Sequence, residues 1–318
     1  MKPKVSIIFT SYNHKHFLKQ AIDSLLSQTF KDFELIIVDD CSTDGSQDIL
    51  KSFNDPRIRL YLNKKNSGSY VTSSNYGASI ASAPYIIFSQ CDDWAEPIQL
   101  EKLVGIMDNH DVGVVFSSSN LVDEKGRFIS NDFYCREKSF KKKCYVNAYI
   151  RKDEMSRFLT MACVIPNLSA ALIRRDLYEK EGGLSSDFLV LADWDFWLRM
   201  TNHCDFYYIR EPLNNFRQHK TTIRNTIKLE RQLKELFDML FLYRNNNNIM
   251  KGLIPINVAM IWNMTILDGF NSWIKTFLPI MKYGCGYTKL FPLYFIVGGI
   301  KAIMFLMSIK IGRYYCNE

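Results

Sequence analysis

Two short apolar runs near the start of the chain, each ending abruptly in polar residues, constrain the fold more than any other feature. Val5 to Phe9 is followed by Thr10-Ser11-Tyr12-Asn13, and Leu35 to Val38 by Asp39-Asp40-Cys41-Ser42. Runs of this length, rich in β-branched residues and bounded by turn formers, read as buried strands. Phe17, Ile22, Leu25 and Leu26 recur between them at helical spacing, so Lys4 to Ser46 reads as a β-α-β unit. In a parallel sheet connected this way both polar clusters fall at the same carboxyl edge, where open α/β sheets bind ligands.

The rhythm continues. A turn at Ser42 to Ser46 opens a helix to about Phe53, and Arg57 to Leu62 alternates like a strand. Asn66-Ser67-Gly68 is a loop before a helical stretch to Ser82, and Tyr85 to Phe88 is a buried strand ending in Ser89-Gln90-Cys91-Asp92-Asp93. Pro97 starts a helix whose apolar face is Leu100, Leu103, Val104 and Met107, and Val112 to Phe116 is the next strand. From Asn120 the pattern changes: Asp123 to Gly126 is a turn between short β-like pieces, and Tyr134 to Lys152, basic and aromatic, reads as an irregular loop covering the site. Ser169 to Ile173 is a strand, Arg175 to Glu181 a helix closed by Gly182-Gly183, and Asp193 to Met200 an amphipathic helix with an acidic first turn. Farther on, Leu229, Leu233, Leu236, Leu240 and Tyr243 form the buried stripe of a long helix that ends at the asparagine run Asn245 to Asn248.

At 318 residues the chain accommodates one large domain, or one domain with an appendage. Hydrophobic residues at 47% and charged residues at 23% exclude a disordered chain. The net charge of +7 is mild and gathers at Lys141 to Lys143, Arg151-Lys152 and Arg174-Arg175; it marks either an anionic partner or a solvated basic face. Nucleic acid is not the expected partner. The eight cysteines form no CxxC pair and no His/Cys cluster, which argues against a zinc site or a disulfide framework and for reduced, cytosolic thiols. The first residues pass straight into a strand without an apolar signal segment, so catalysis facing the cytoplasm is expected.

Acidic residues converging on one sheet edge repel one another unless a cation sits among them. Asp39, Asp40, Asp92 and Asp93 therefore point jointly to a divalent metal, and oxygen ligands favour Mg2+ or Mn2+. Taken singly, each could equally cap a helix or terminate a strand. No GxGxxG follows the first strand and no GxxxxGK[ST] occurs, so dinucleotide-binding and P-loop readings lose their main support.

TSYN after the first strand, AIDSLLSQTF, FELIIVDDCSTDGS, NSG, CDDWAEP, the GG pair and ADWDFWLR follow one another from about Val5 to His219. In that order they resemble the inverting nucleotide-sugar glycosyltransferases of family two, especially bacterial members that build surface polysaccharides such as O-antigen, capsule or exopolysaccharide. The resemblance implies an α/β protein of the GT-A fold: a Rossmann-like, mainly parallel central sheet over residues 1–225, with a nucleotide-binding half at 1–117 and an acceptor-binding half at 118–225. A helical C-terminal extension would occupy 226–318. It implies that Thr10, Tyr12, Asn13, Asp40, Asn66, Gly68 and Gln90 line the nucleotide pocket, with Tyr12 near the base and Asp40 accepting a uracil or thymine N–H. Asp92, the last position of the family's DxD element, would hold Mg2+ or Mn2+ with Asp93 in support and His219 of FRQH nearby.

Three positions depart from the family pattern. Gln90 stands at the first acidic position of DxD and adds no charge, Ala192 stands where relatives usually carry Glu before the Asp, and Ser74 stands where a basic residue is common, so diphosphate contact falls to Arg217 or His219. The implied general base is Asp193, and Trp194 and Trp197 are candidates for a sugar platform. Residues two apart on a helix differ by about 200°, so Asp193 and Asp195 cannot both face the cleft. The implied reaction is one displacement: an acceptor hydroxyl deprotonated by Asp193 attacks the anomeric carbon of a nucleotide-sugar donor, inverting it.

A processive membrane synthase, a non-catalytic nucleotide-sugar-binding protein and a nucleotidyltransferase are the rival readings. The first lacks its QxxRW motif and long spans, and the third its Gly-rich, lysine-bearing loop; Gln90 and Ser74 give the second some footing. Residues 249–315 are apolar, aromatic and basic, but Lys289, Lys301 and Lys310 interrupt them before the ~20 apolar residues of a span. The expectation is an interfacial segment, with a packed helical subdomain as the alternative. The acceptor is then expected to be a saccharide on a polyprenyl diphosphate, and the enzyme peripheral on the inner face of a bacterial membrane.

Overall fold

A computed structural model describes residues 2–165, 167–222, 226–243, 277, 280–281, 285, 292–293 and 295–300. The chain divides into two compact units, Met1–Thr222 and Ile223–Glu318. The asparagine run at 245–248 and most of the apolar stretch after it lie outside the described residues.

The first unit begins with strictly alternating elements: β1 (Val5–Ser11), α1 (Lys15–Leu26), β2 (Phe33–Asp39), α2 (Ser46–Ser52), β3 (Ile58–Leu62), α3 (Tyr70–Ser79) and β4 (Tyr85–Gln90). Every residue of β1 and β2 is buried, as expected of parallel strands covered on both faces. Val5, Ile7 and Phe9 pack in one core with Leu18, Ile22 and Leu25 of α1 and Leu35 and Ile37 of β2, each such burial being worth about 1.5–3 kcal/mol. β1 lies between β2 and β4, parallel to both, with Ser11 opposite Asp39 and Thr10 opposite Gln90. The polar tails of all three strands therefore share one edge.

The sheet continues through β5 (Trp94–Ala95), α4 (Gln99–Asn109), β6 (Val114–Val122), β7 (Phe128–Asn131), α5 (Lys138–Lys143), β8 (Ala148–Ile150), α6 (Lys152–Met161), β9 (Ala171–Arg174), α7 (Arg175–Lys180), α8 (Ala192–Met200) and β10 (Phe206–Arg217). Among the described residues the strand order is β3-β2-β1-β4-β9-β6-β10-β5, with β7 on β6 and β8 on β10. β9 runs antiparallel to both β4 and β6, whereas β6 and β10 are parallel. The sheet is thus parallel in its first half and mixed beyond it.

Three sequence expectations need revision here. Tyr134 to Lys152 is not an irregular loop: Glu137 accepts from the Ser139 and Phe140 amides to start α5, Phe140 is fully buried, and β8 joins the sheet. Lys141 to Lys143 occupy the last turn of α5, where the helix dipole favours cations. The strand expected at 112–116 runs on to Val122. β10 escaped notice because Arg210-Glu211-Pro212 breaks its apolar pattern; Pro212 sits at a register shift against β6, where a missing N–H is tolerated.

Gly182 and Gly183 close α7 with φ of +73° and +76°, backbone that side-chain-bearing residues adopt at a cost. The Asn75 side chain spans this turn, accepting from Leu184 N at 3.0 Å and donating to Leu184 O at 2.9 Å. In the second unit α9 (Leu229–Tyr243) buries Leu233, Leu236, Phe237 and Met239.

A Cβ on Gly183 would lie 2.6 Å from Asn75 Oδ1, whereas one on Gly182 meets nothing within 4 Å. Gly182→Ala should cost ~1 kcal/mol from backbone strain alone, and Gly183→Ala about 2–3 kcal/mol because strain and clash add. Urea unfolding of the two variants measures the difference.

Candidate active site

The carboxyl edge is closed by latches between loops. Asn13 has φ of +52°, a conformation asparagine tolerates; its N–H donates to Ser42 Oγ at 2.9 Å and its Oδ1 accepts from Thr43 N at 2.8 Å. Asp39, fully buried, accepts from Ser42 N, Ser42 Oγ and Gln47 Nε2 and so fixes the turn after β2. The Asp40 carboxylate takes Asn63 Nδ2 at 2.8 Å, Ser67 N at 3.0 Å and Ser67 Oγ at 2.8 Å. The Ser67 amide reaches both oxygens, so each carboxylate oxygen receives two contacts and Asp40 ties the 63–67 loop to the end of β2. Asn66 Oδ1 accepts from Gly68 N, tightening the loop that Asp40 holds. Thr10 Oγ1 donates to Gln90 Oε1 at 3.2 Å across the β1–β4 pair, and Tyr12 is 44% exposed at the rim.

Asp92 and His219 meet, as the motif order implies: His219 Nε2 lies 2.9 Å from Asp92 Oδ2, and its Nδ1 lies 2.8 Å from Thr221 Oγ1. A third group joins them. The ligating atoms of His14, Asp92 and His219 all lie within 4.8 Å of one another. His14 Nδ1 is 2.7 Å from Tyr12 O, while its Nε2 is buried without a hydrogen-bond partner, a state that costs about 1–3 kcal/mol. Two imidazoles and a carboxylate, one nitrogen buried and unpaired, are a donor set that fits a divalent cation.

Asp93 does not join this group. It is 2% exposed and turned inward, accepting from Arg217 N at 3.0 Å and Asn167 Nδ2 at 3.1 Å. Burial, then the charge of Asp92, push its carboxyl well above the usual carboxylate range. Arg217 is likewise occupied: Nε donates to Asp92 O at 2.8 Å, Nη1 to Glu124 O at 2.7 Å and Nη2 to Gln20 Oε1 at 2.7 Å. Its guanidinium also lies 4.6 Å from the Phe17 ring centroid and 4.8 Å from that of Trp94, and burial lowers its pKa. Rather than reaching for a diphosphate, Arg217 holds the Asp92 main chain.

On α8 the helix geometry resolves as expected. Asp195 is buried in an ion pair with Arg199 Nε at 2.9 Å, which leaves the other side of the helix to the half-buried Asp193. Asp193 is not the cap, since Leu191 occupies that position; its Oδ1 accepts from the Trp194 amide at 2.7 Å. Trp197 is 0% exposed and belongs to the core, which removes it as a sugar platform. Trp194 is half-buried with its indole N–H on Leu159 O at 2.6 Å. The sequence sets His14 near the nucleotide end of the first strand but gives it no role, since no spacing rule links it to Asp92 or His219. Sequence reasoning passed over Asn167 and Asn214, whose bond to each other (3.3 Å) continues inward from Asp93.

A mixed α/β sheet with a loop-built edge of this kind defines a GT-A nucleotide-sugar transferase fold. The solved structure of S. aureus TarS 1–349 in complex with UDP-GlcNAc superposes with a TM-score of 0.67 over 94% of this chain and 89% of that one, at 16% identity. Residues 6–182 match the family described as Glycosyl transferase family 2, and the chain belongs to that family. Among its relatives, the uncharacterized glycosyltransferase RP339 of Rickettsia prowazekii is 29% identical over 88% of this chain and 81% of its own. The putative teichuronic acid biosynthesis glycosyltransferase TuaG of Bacillus subtilis is 35% identical over 39% of this chain and 50% of its own. The protein is a glycosyltransferase.

Because a lysine ammonium cannot reproduce the guanidinium fork, Arg217→Lys should unfold about 2–4 kcal/mol more easily than the parent. Denaturant unfolding checks this.

Proposed function

We propose that this enzyme transfers a sugar from a UDP- or dTDP-sugar to a saccharide acceptor with inversion, in the assembly of a bacterial surface polysaccharide. The observation that carries this reading is the convergence at one sheet edge of three side chains: Asp40, which holds the 63–67 loop, and the Asp92–His219 pair. The TarS complex, which holds UDP-GlcNAc in the same fold, and the teichuronic acid assignment of TuaG support the donor and the product class.

In the proposed reaction Thr10, Tyr12, Asn13, Asn66, Gly68 and Gln90 shape the nucleoside pocket, and Asp40 accepts the N–H of a uracil or thymine. Asp92 and His219 hold Mg2+ or Mn2+, which supplies positive charge to the departing diphosphate when bound. Asp193 lies in the first turn of α8, where the helix dipole favours negative charge, and takes the proton of the acceptor hydroxyl. Trp194 remains the platform candidate for the acceptor sugar.

The acceptor is proposed to be lipid-linked and the enzyme to work at the inner membrane face, the region from 226 onward supplying attachment. In the second unit Leu293, Ile296 and Ile300, three and four residues apart at helical positions, are all more than half exposed, the pattern of an interfacial helix face. Among the described residues no helix is long and apolar enough to cross a membrane.

Asp193→Asn should retain UDP-sugar binding and lose roughly 10²–10⁴ in turnover, whereas Asp195→Asn should lower the melting temperature by removing the pair with Arg199. Substantial turnover by Asp193→Asn would move the base elsewhere. In a binding screen with Mn2+, UDP- and dTDP-sugars should bind and GDP-sugars should not; a GDP preference would remove the role given to Asp40.

A further inference from the structure

His14 stands where the tail of β1 turns into α1, outside every motif that the family reading uses. Its ring is held on three sides. Nδ1 lies 2.7 Å from Tyr12 O, Phe17 stacks at a centroid distance of 6.1 Å, and the His219 ring meets it edge-on at 5.5 Å. A carbonyl can only accept, so Nδ1 carries the proton and the neutral ring keeps its lone pair on Nε2. That atom is buried, unpartnered, and within 4.8 Å of the ligating atoms of Asp92 and His219.

We propose that His14 Nε2 is a third protein ligand of the cation held by Asp92 and His219, and that this two-imidazole, one-carboxylate set takes Mn2+ in preference to Mg2+ and before any nucleotide binds. The inference rests on the reading that Asp92 and His219 form a cation site. Each imidazole has its outer nitrogen oriented, His14 by the Tyr12 carbonyl and His219 by the Thr221 hydroxyl, the arrangement that aims metal-binding histidines. The 2.9 Å between His219 Nε2 and Asp92 Oδ2 sets two of the three donors side by side. Mg2+ prefers an all-oxygen shell and keeps its waters, whereas imidazole nitrogen favours first-row transition ions. If His14 served only for packing, an apolar ring would do so without burying an unpaired nitrogen.

The test uses the full chain with MnCl2 and no nucleotide, following the free Mn2+ resonance by electron paramagnetic resonance. The parent should bind one ion, and His14→Gln and His14→Phe should each weaken it roughly 10-fold or more, since losing a ligand costs at least as much as losing an outer-shell partner. His14→Phe preserves the ring packing, and circular dichroism checks that both variants fold. Pulsed measurements on bound Mn2+ should show nitrogen coupling from two imidazoles in the parent and one in either His14 variant or in His219→Gln. Mg2+ should displace Mn2+ only in more than roughly tenfold excess. If the His14 variants bind Mn2+ like the parent while Asp92→Asn does not, the role of His14 is overturned and the cation site stands. If the parent binds no Mn2+ with or without UDP, both fall; equal competition by Mg2+ overturns the selectivity.

Discussion

Parallel pairing of β1 with β2 on one side and β4 on the other is the constraint from which the site follows. Parallel strands need crossover connections, so α1 and α3 must cover the sheet faces, and the strands between them can be apolar throughout. The apolar runs end together, and the register that sets Ser11 against Asp39 and Thr10 against Gln90 gathers every polar tail at one edge. A single-residue slip would place core side chains among the loops. The burial of every position in β1 and β2 holds the register.

The edge would still be a row of loops without its long-range ties. β10 ends beside it and delivers Arg217, whose guanidinium binds the carbonyls of Asp92 and Glu124 between the rings of Phe17 and Trp94. A buried charge is tolerated only where its donors are satisfied, and here the satisfaction also fixes the main chain that presents Asp92. Two residues on, His219 reaches the Asp92 carboxylate itself. Segments some 125 residues apart in sequence are thus set within hydrogen-bond range by one strand end.

The sequence was most legible where local physics decides. The β-α-β opening, the helix of ADWDFWLR and the opposition of Asp193 to Asp195 all follow from periodicity, and the structure repeats them. Reading failed where residue type had to stand in for environment. Arg217 and Trp197 are types that bind phosphates and sugars on a surface, and both are core residues here. Tyr134 to Lys152 looked irregular because a short capped helix and a three-residue strand leave too few positions for a period to show. β10 was hidden by Pro212, whose register shift is visible only beside β6.

By itself the sequence determined the α/β rhythm, the polar ends of the strands and the position of Asp193 on its helix, since each depends on residues within one or two turns or on strand alternation. Only the tertiary structure decided which acidic residues face the cleft. Asp92 and Asp93 are neighbours in the chain, yet one meets His219 and the other points to Asn167. Adjacent side chains leave the backbone in different directions, and which direction is interior depends on β10 and the Asn167 loop, far away in sequence. The same holds for the opening stretch: KVSIIFTSYNH places His14 at the end of a strand, but only the return of residue 219 makes its buried nitrogen part of a site.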